Sequence, residues 1–249
     1  MANPPNVLVF SGHDPSGGAG LQADVEAIGA CGAHPAVVVT ALTRQDSRNA
    51  HEVWPVAPDR FCATLDSLAA DLAFAAIKVG LVGSCAQVKA IAAFADTHPD
   101  IPLVLDPVLR AGGGATLANE PVAQALTQTL FPRTTLLTPN AAEARSLCSG
   151  ENDLTTCGQA LSRQARHVLV TGGDEPGDWV VNRLFANGAL AQEFRFPKLA
   201  GPFHGAGCTL AAAICARLAN GESVATAANA AQSYVHKCLA AGFAPGRGR

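Results

Sequence analysis

An α/β fold built on a central, mostly parallel sheet is the class this chain predicts. Three features predict it: short β-branched apolar runs, longer Ala-rich amphipathic segments alternating with them, and glycine-rich loops joining one to the next. Runs of three to six nearly all-apolar residues fit strands buried on both faces, as a central parallel sheet demands. The chain has 249 residues, 49% of them apolar and 15% charged, and α/β folds often fill about 250 residues as one unit, so a single domain over residues 1–249 is expected.

Taken in order, the run Asn6 to Phe10 predicts the first strand, followed across a glycine loop by a helix from Gly20 to Ala30. Ala36 to Ala41 predicts the second strand and Asp59 to Leu72 the second helix. Strand Ala75 to Val79 and helix Ala86 to Ala95 form the next unit; strand Leu103 to Leu105, ended with help from Pro107, is followed by a helix from Glu120 to Thr129. Thr135 to Leu137 leads into a helix from Ala141 to Cys148, and a further helix near Thr155 to Arg166 precedes the strand His167 to Thr171. The pattern then changes: Trp179 to Phe185 and Leu190 to Phe196 flank Asn187-Gly188, which supplies the positive φ angles of a tight turn and predicts an antiparallel edge hairpin. Two Ala-rich helices, Gly205 to Asn220 and Ser223 to Leu239, meet at Asn220-Gly221, a sound helix C-cap.

Seventeen Lys and Arg against twenty Asp and Glu give a net charge of −3, so no basic field draws the protein to nucleic acid or to an anionic membrane. The N-terminal residues before Val7 carry no Lys or Arg, the apolar run Val7 to Phe10 is too short for a signal-peptide core, and Leu210 to Leu218 is interrupted by Arg217. A cytoplasmic, soluble protein is expected. Its cysteines, Cys31, Cys62, Cys85, Cys148, Cys157, Cys208, Cys215 and Cys238, form no C-x-x-C pair, so reduced thiols are expected rather than a zinc site or a disulfide scaffold.

Three loops carry candidate chemistry. Ser11-Gly-His-Asp-Pro-Ser-Gly-Gly-Ala-Gly20 runs from a strand into a helix, and Asp14, Ser16, Gln22 and Asp24 make it more polar than a plain turn needs. Gly18-Ala-Gly20-Leu-Gln-Ala23 matches G-x-G-x-x-G/A in form, but the loop is longer than the tight turn of that motif and the second strand ends in Thr40-Ala41 without an acidic residue for a ribose. No Lys-Ser/Thr follows the glycines, so it is not a Walker A loop either.

The second loop, Gly201-Pro-Phe-His-Gly-Ala-Gly-Cys-Thr209, opens a helix whose free N–H groups and dipole favour an anion, and Gly205 and Gly207 let backbone approach phosphate. Cys208 falls in the first turn, where that field is expected to lower its pKa and favour a thiolate; His204 reads as shaping the loop. In the third, Leu137-Thr-Pro-Asn140-Ala-Ala-Glu143, two readings stand side by side: a capping box, or a pair ordering water around magnesium beside phosphates. Asp106 is a further carboxylate at a strand end, in a segment running through Arg110 to Gly114.

Together these residues resemble the hydroxymethylpyrimidine/phosphomethylpyrimidine kinases of the ribokinase-like superfamily. The resemblance is carried by Ser11 to Asp24, Val39-Thr-Ala-Leu-Thr-Arg-Gln45, Lys78-Val-Gly80, Asp106-Pro-Val108, Thr138-Pro-Asn140 with Glu143, and His204-Gly-Ala-Gly-Cys-Thr209, in family order along nearly the whole chain. It implies a three-layer α/β/α fold, ATP and Mg2+, a small pyrimidine substrate, and a homodimer. The implied reaction is phosphorylation of 4-amino-5-hydroxymethyl-2-methylpyrimidine and then of its monophosphate, in thiamine biosynthesis.

By the same resemblance Gln45 reads the aminopyrimidine edge near Gly12 and Asp24, with Leu81 and Val108 against the ring. Gly205, Ala206 and Gly207 form the anion hole and Cys208 takes the place of an aspartate base; Asp106, Asn140, Thr171 and Gly173 face ATP, and Glu143 with Asn140 faces the metal. The chain departs from the family at Thr171, where many members have Lys, at Leu81, where Met often packs on the pyrimidine, and at Gly201-Pro202-Phe203 before the anion hole. Rival readings are a pyridoxal kinase of the same superfamily, a non-catalytic pyrimidine binder, and a cysteine hydrolase using Cys208, for which no base and orienter pair is identifiable.

Overall fold

A computed structural model describes residues 3–110, 114–115, 117–201 and 203–248. Pro202 and the glycines at 112 and 113, which belong to loops singled out above, lie outside the described residues.

One nine-stranded sheet runs through the chain in the order β3-β2-β1-β4-β5-β6-β7-β8-β9. Its parallel centre is β2 (His34–Gln45), β1 (Asn6–His13), β4 (Phe74–Val79), β5 (Leu103–Leu105), β6 (Leu136–Leu137) and β7 (His167–Val170). Alternate residues of each strand serve opposite faces. Leu8, Phe10, Ile77 and Val79 pack with α2 (Pro58–Asp71), α3 (Cys85–Thr97), α4 (Glu120–Ala125), α5 (Ala141–Leu147) and α6 (Leu154–Leu161). Val7, Val9, Ala76 and Val104 pack with α1 (Gly20–Ala30), α7 (Ala206–Ala219) and α8 (Val224–Ala240). Two separate apolar cores, one on each face, make this the expected three-layer α/β/α arrangement with a mostly parallel sheet.

The hairpin of β8 (Trp179–Ala186) and β9 (Ala189–Pro197) turns at Asn187 and Gly188, both at positive φ, and forms the predicted antiparallel edge. A second antiparallel edge was not expected. β2 continues past Ala41 to Gln45, and β3 (Ala50–Pro55) folds back against it. Most residues of β3 are exposed, so this hairpin has no apolar run by which to be read. Two helices also differ from expectation: α6 ends at Leu161, and α4 passes into a π-helical turn at Leu126–Leu130 and a 3-10 turn at Phe131–Arg133. All eight cysteines are free, and no described helix is long and apolar enough to cross a membrane.

Candidate active site

The chain runs outward from β1 through β2 to β3, then returns to β4 on the other side of β1. The strand order therefore reverses between β1 and β4, and α/β folds bind ligands at the carboxyl ends of the strands beside such a point. Gly12 follows a bulge in β1 and packs on the Leu81 side chain beyond β4. The buried Gln87 amide supports the same corner, accepting from the Gly83 N–H at 2.9 Å and donating to the carbonyls of Thr40 and Val56 at 2.8 and 3.0 Å.

Asp14 organises the first glycine loop. Its Oδ1 accepts from the N–H and hydroxyl of Ser16 at 2.9 and 2.7 Å, and its Oδ2 accepts from the Ala19 N–H at 3.1 Å and meets Nε2 of His204 at 2.7 Å. Burial pushes this carboxyl up, but the hydrogen bonds from His204 and Ser16 prevail and hold it below its ordinary value. His204 also lies 3.1 Å from the amide of Gln45, the half-buried last residue of β2.

The second glycine loop abuts the first. Gly205 caps α7 at φ +82°, and a Cβ there would stand 1.8 Å from the Gly18 carbonyl oxygen, so only glycine permits this approach. The first-turn N–H groups of Ala206, Gly207 and Cys208 have no acceptor within the helix and are free to meet an anion. Gly207 is exposed, and the nearest atom to a Cβ built on it is Oδ2 of Asp106 at 3.9 Å, which sets the end of β5 against this turn.

Cys208 does not hold the thiolate expected of it. Burial pushes its thiol up to about 12; the Asp106 and Asp24 carboxylates add to the rise, and Lys78 with the Gly20 N–H only partly opposes it. The helix field is outweighed by burial first, and then by the carboxylates of Asp106 and Asp24 nearby. Asp24 is a second correction: expected to touch substrate, it is wholly buried, with Oδ2 2.8 Å from Nζ of Lys78. Burial raises the Asp24 carboxyl against the pull of Lys78, while on Lys78 the carboxylates overcome burial and hold the ammonium charged. Gly80 makes room for that ammonium, since a Cβ there would lie 2.5 Å from Nζ. Lys78 has no role in the sequence reading, although a lysine inside an apolar strand run is itself a signal, because a buried charge needs a partner.

Asp106 is buried at 6% exposure and pushed up to about 6, by burial first and Asp24 next; Lys78 and a hydrogen bond from the Cys208 thiol oppose this. Glu143 and Asn140 form the capping box: Oδ1 of Asn140 accepts from the Glu143 N–H at 2.9 Å, and Oε2 of Glu143 accepts from the Asn140 N–H at 3.0 Å. Oε1 of Glu143 takes the Leu109 N–H at 3.3 Å, tying the segment after β5 to α5. Even so, burial and the charges of Asp106 and Asp174 push Glu143 up to about 8. Two buried carboxylates, one raising the other, are a donor set suited to a cation. Among the described residues, no three His, Cys, Asp or Glu are grouped to hold a metal.

Thr171 pairs with Asn140 in a short parallel bridge, its N–H donating to the Pro139 carbonyl at 3.0 Å. The next residue is braced from behind: Gly172 N–H donates to Asn182 at 2.8 Å, and Asn182 to Gln232 of α8 at 2.7 Å. Gly173 is exposed beside them, and Val108 is half-buried two residues after Asp106. The structure thus brings Gly12, Leu81, Gln45, Asp106, Val108, Asn140, Glu143, Thr171, Gly173 and the start of α7 to one edge of the sheet, with Asp24 beneath it.

Known proteins match this chain over nearly its whole length. Residues 14–249 match the phosphomethylpyrimidine kinase family. The hydroxymethylpyrimidine/phosphomethylpyrimidine kinase of Streptomyces coelicolor is 36% identical over 98% of this chain and 92% of its own, and that of Bacillus subtilis is 30% identical over 93% and 88%. Among solved structures, an ADP complex of Bacillus subtilis pyridoxal kinase superposes with a TM-score of 0.89 at 26% identity, covering 98% of this chain and 95% of that one. A phosphomethylpyrimidine kinase of Clostridium difficile does so at 0.81 and 26%, covering 95% and 99%. The fold is the ribokinase-like one, and with a family match from residue 14 to residue 249 the chain belongs to the phosphomethylpyrimidine kinases.

Proposed function

We propose that this protein transfers the γ-phosphoryl group of ATP to the hydroxymethyl oxygen of 4-amino-5-hydroxymethyl-2-methylpyrimidine, and then a second phosphoryl group to the monophosphate, in thiamine biosynthesis. The observation that carries the reading is Gln45, held at the switch point of a chain whose relatives bear that name. Its amide offers one donor and one acceptor, the complement of a ring nitrogen beside an exocyclic amine. Gly12, Leu81 and Val108 supply the apolar surroundings of the ring, and Thr171 and Gly173 the nucleotide wall; ADP and ATP-analogue complexes of related pyridoxal kinases support ATP as the donor.

In the transfer, the bond from the acceptor oxygen to the γ-phosphorus forms as the bond to the β-phosphate oxygen breaks. The first-turn N–H groups of α7 are placed to stabilise the charge on the migrating group. The Asp106 carboxyl, whose Oδ2 stands against the first turn of α7, is pushed up only to about 6 where the Cys208 thiol is pushed up to about 12, so it is the better proton acceptor of the two. A magnesium ion bound with the nucleotide would be faced by Glu143 and Asp106, and would supply neutralisation of phosphate charge.

The test is a comparison of kcat/KM for the hydroxymethylpyrimidine and for pyridoxal, each with ATP and magnesium. A preference of at least about 100-fold for the pyrimidine is expected from a site built to pair its polar edge. An equal or reversed preference would move the reading to a pyridoxal kinase.

A further inference from the structure

His204 belongs to the loop before α7, yet its contacts are with the other two walls of the site. Its imidazole packs on Gly18, where a Cβ would come within 2.6 Å of Cδ2, and its side chain is 17% exposed. One nitrogen, Nε2, faces two partners: Oδ2 of Asp14 at 2.7 Å and the terminal amide of Gln45 at 3.1 Å.

The protonation of that nitrogen follows from its neighbours. Asp14 already accepts from the Ser16 N–H, the Ser16 hydroxyl and the Ala19 N–H, as only an ionised carboxylate does comfortably, and it is held below its ordinary value. Nε2 must therefore carry hydrogen and donate to Asp14, which leaves it no lone pair. A nitrogen with its proton in place cannot face the NH2 of an amide, because both are donors. Oxygen and nitrogen of a glutamine amide are interchangeable in shape, so the hydrogen-bond partners decide which is which. The oxygen of Gln45 belongs against His204, as the longer arm of a three-centre bond from the one N–H that Asp14 also accepts.

We infer that His204 is a positioning residue that fixes the Gln45 amide with Oε1 toward the imidazole, so that Nε2 of Gln45 projects as a donor while Oε1 keeps one lone pair free. This rests on Gln45 reading the substrate ring, as proposed above. It deepens that reading by naming the pattern the pocket demands: a ring acceptor nitrogen next to an exocyclic donor. A 4-aminopyrimidine has that pattern. The corresponding pyrimidin-4(3H)-one has it reversed, with N–H in the ring and a carbonyl outside. Without the N–H of His204 the amide can turn through 180° and accept the reversed edge.

The test is titration calorimetry of wild type, His204→Phe and His204→Gln with 4-amino-5-hydroxymethyl-2-methylpyrimidine and with 5-hydroxymethyl-2-methylpyrimidin-4(3H)-one. Wild type is expected to prefer the amino compound by about thirtyfold or more, since each mispaired polar edge costs roughly a factor of ten. His204→Phe should bring the two within about threefold, and His204→Gln, which keeps a donor at that place, should preserve the preference. Equal weakening of both ligands in His204→Phe with the ratio retained would assign His204 a purely structural role and overturn the inference, leaving the substrate reading intact. Failure of wild type to bind either compound would instead overturn the substrate reading and the inference with it.

A second measurement does not depend on the variants folding. In protein labelled with nitrogen-15 histidine, Nε2 of His204 is expected to show a directly bonded proton in the ligand-free state. An unprotonated Nε2 would also overturn the inference.

Discussion

Replacing Glu143 with glutamine should destabilise the ligand-free protein at low pH and stabilise it at high pH. The reason lies in the sign of the shift. Glu143 is 7% exposed and its carboxyl is pushed from an ordinary 4.5 up to about 8. A carboxyl whose folded value is raised contributes stability that is fully present below its unfolded value and is lost as pH rises through the folded one. At about 1.4 kcal/mol per unit the loss is on the order of 5 kcal/mol, shared with Asp106, whose charge is one of its causes.

Glutamine removes the charge and keeps one acceptor, so it forfeits one of the two backbone contacts, from Asn140 or from Leu109, at about 1 kcal/mol. Urea unfolding without nucleotide or metal should then show Glu143→Gln about 1 kcal/mol less stable than wild type at pH 4, below the unfolded value, and about 3–4 kcal/mol more stable at pH 9. The same variant should lose activity with magnesium and ATP. Stability curves that run parallel between the two pH values would refute the argument, since they would mean that Glu143 ionises in the fold as it does in the unfolded chain.

Lys78→Met leaves Asp24 buried without its partner and should cost about 3–5 kcal/mol in urea unfolding, whereas Lys78→Met with Asp24→Leu should recover most of that loss. A double variant no more stable than Lys78→Met would contradict the pairing. With its thiol pushed up to about 12, Cys208 should react with iodoacetamide at a rate still climbing above pH 10, and mass spectrometry of the labelled peptide would contradict this by finding a plateau near pH 8. Gly205→Ala meets both a positive φ and a 1.8 Å approach to Gly18, and should lower stability by at least about 2 kcal/mol and kcat by about 100-fold or more. Wild-type melting and turnover would show that the two loops are not pressed together.

The central sheet is legible because its strands are buried on both faces. Leu103–Leu105 and Val7 to Phe10 are apolar without interruption for that reason. β3 is not legible: only one edge of it is paired, and Glu52 and Trp54 stand in solvent. At the site, the two glycine loops, Gln45 and the helix start at Cys208 can all be found in sequence, because glycine spacing and a strand-to-helix change mark them. What the sequence conceals is charge state. Cys208 reads as a thiolate from its helix position alone, and the opposite holds because the fold buries it and sets Asp106 and Asp24, each about 100 or more positions away in the chain, near it. Asp24 reads as loop polarity near the substrate until its partner, Lys78 of β4, is seen. His204 reads as loop-shaping, and only the fold shows its imidazole 3.1 Å from the Gln45 amide.

Phosphorus NMR of one reaction mixture, with ATP, magnesium and 4-amino-5-hydroxymethyl-2-methylpyrimidine, tests the central claim most directly. The account predicts a pyrimidine monophosphate resonance that rises and then gives way to the paired resonances of the diphosphate, with a matching second equivalent of ADP, and no such sequence in Gln45→Leu. A mixture that yields neither phosphorylated pyrimidine while the same protein converts pyridoxal to its phosphate would contradict it.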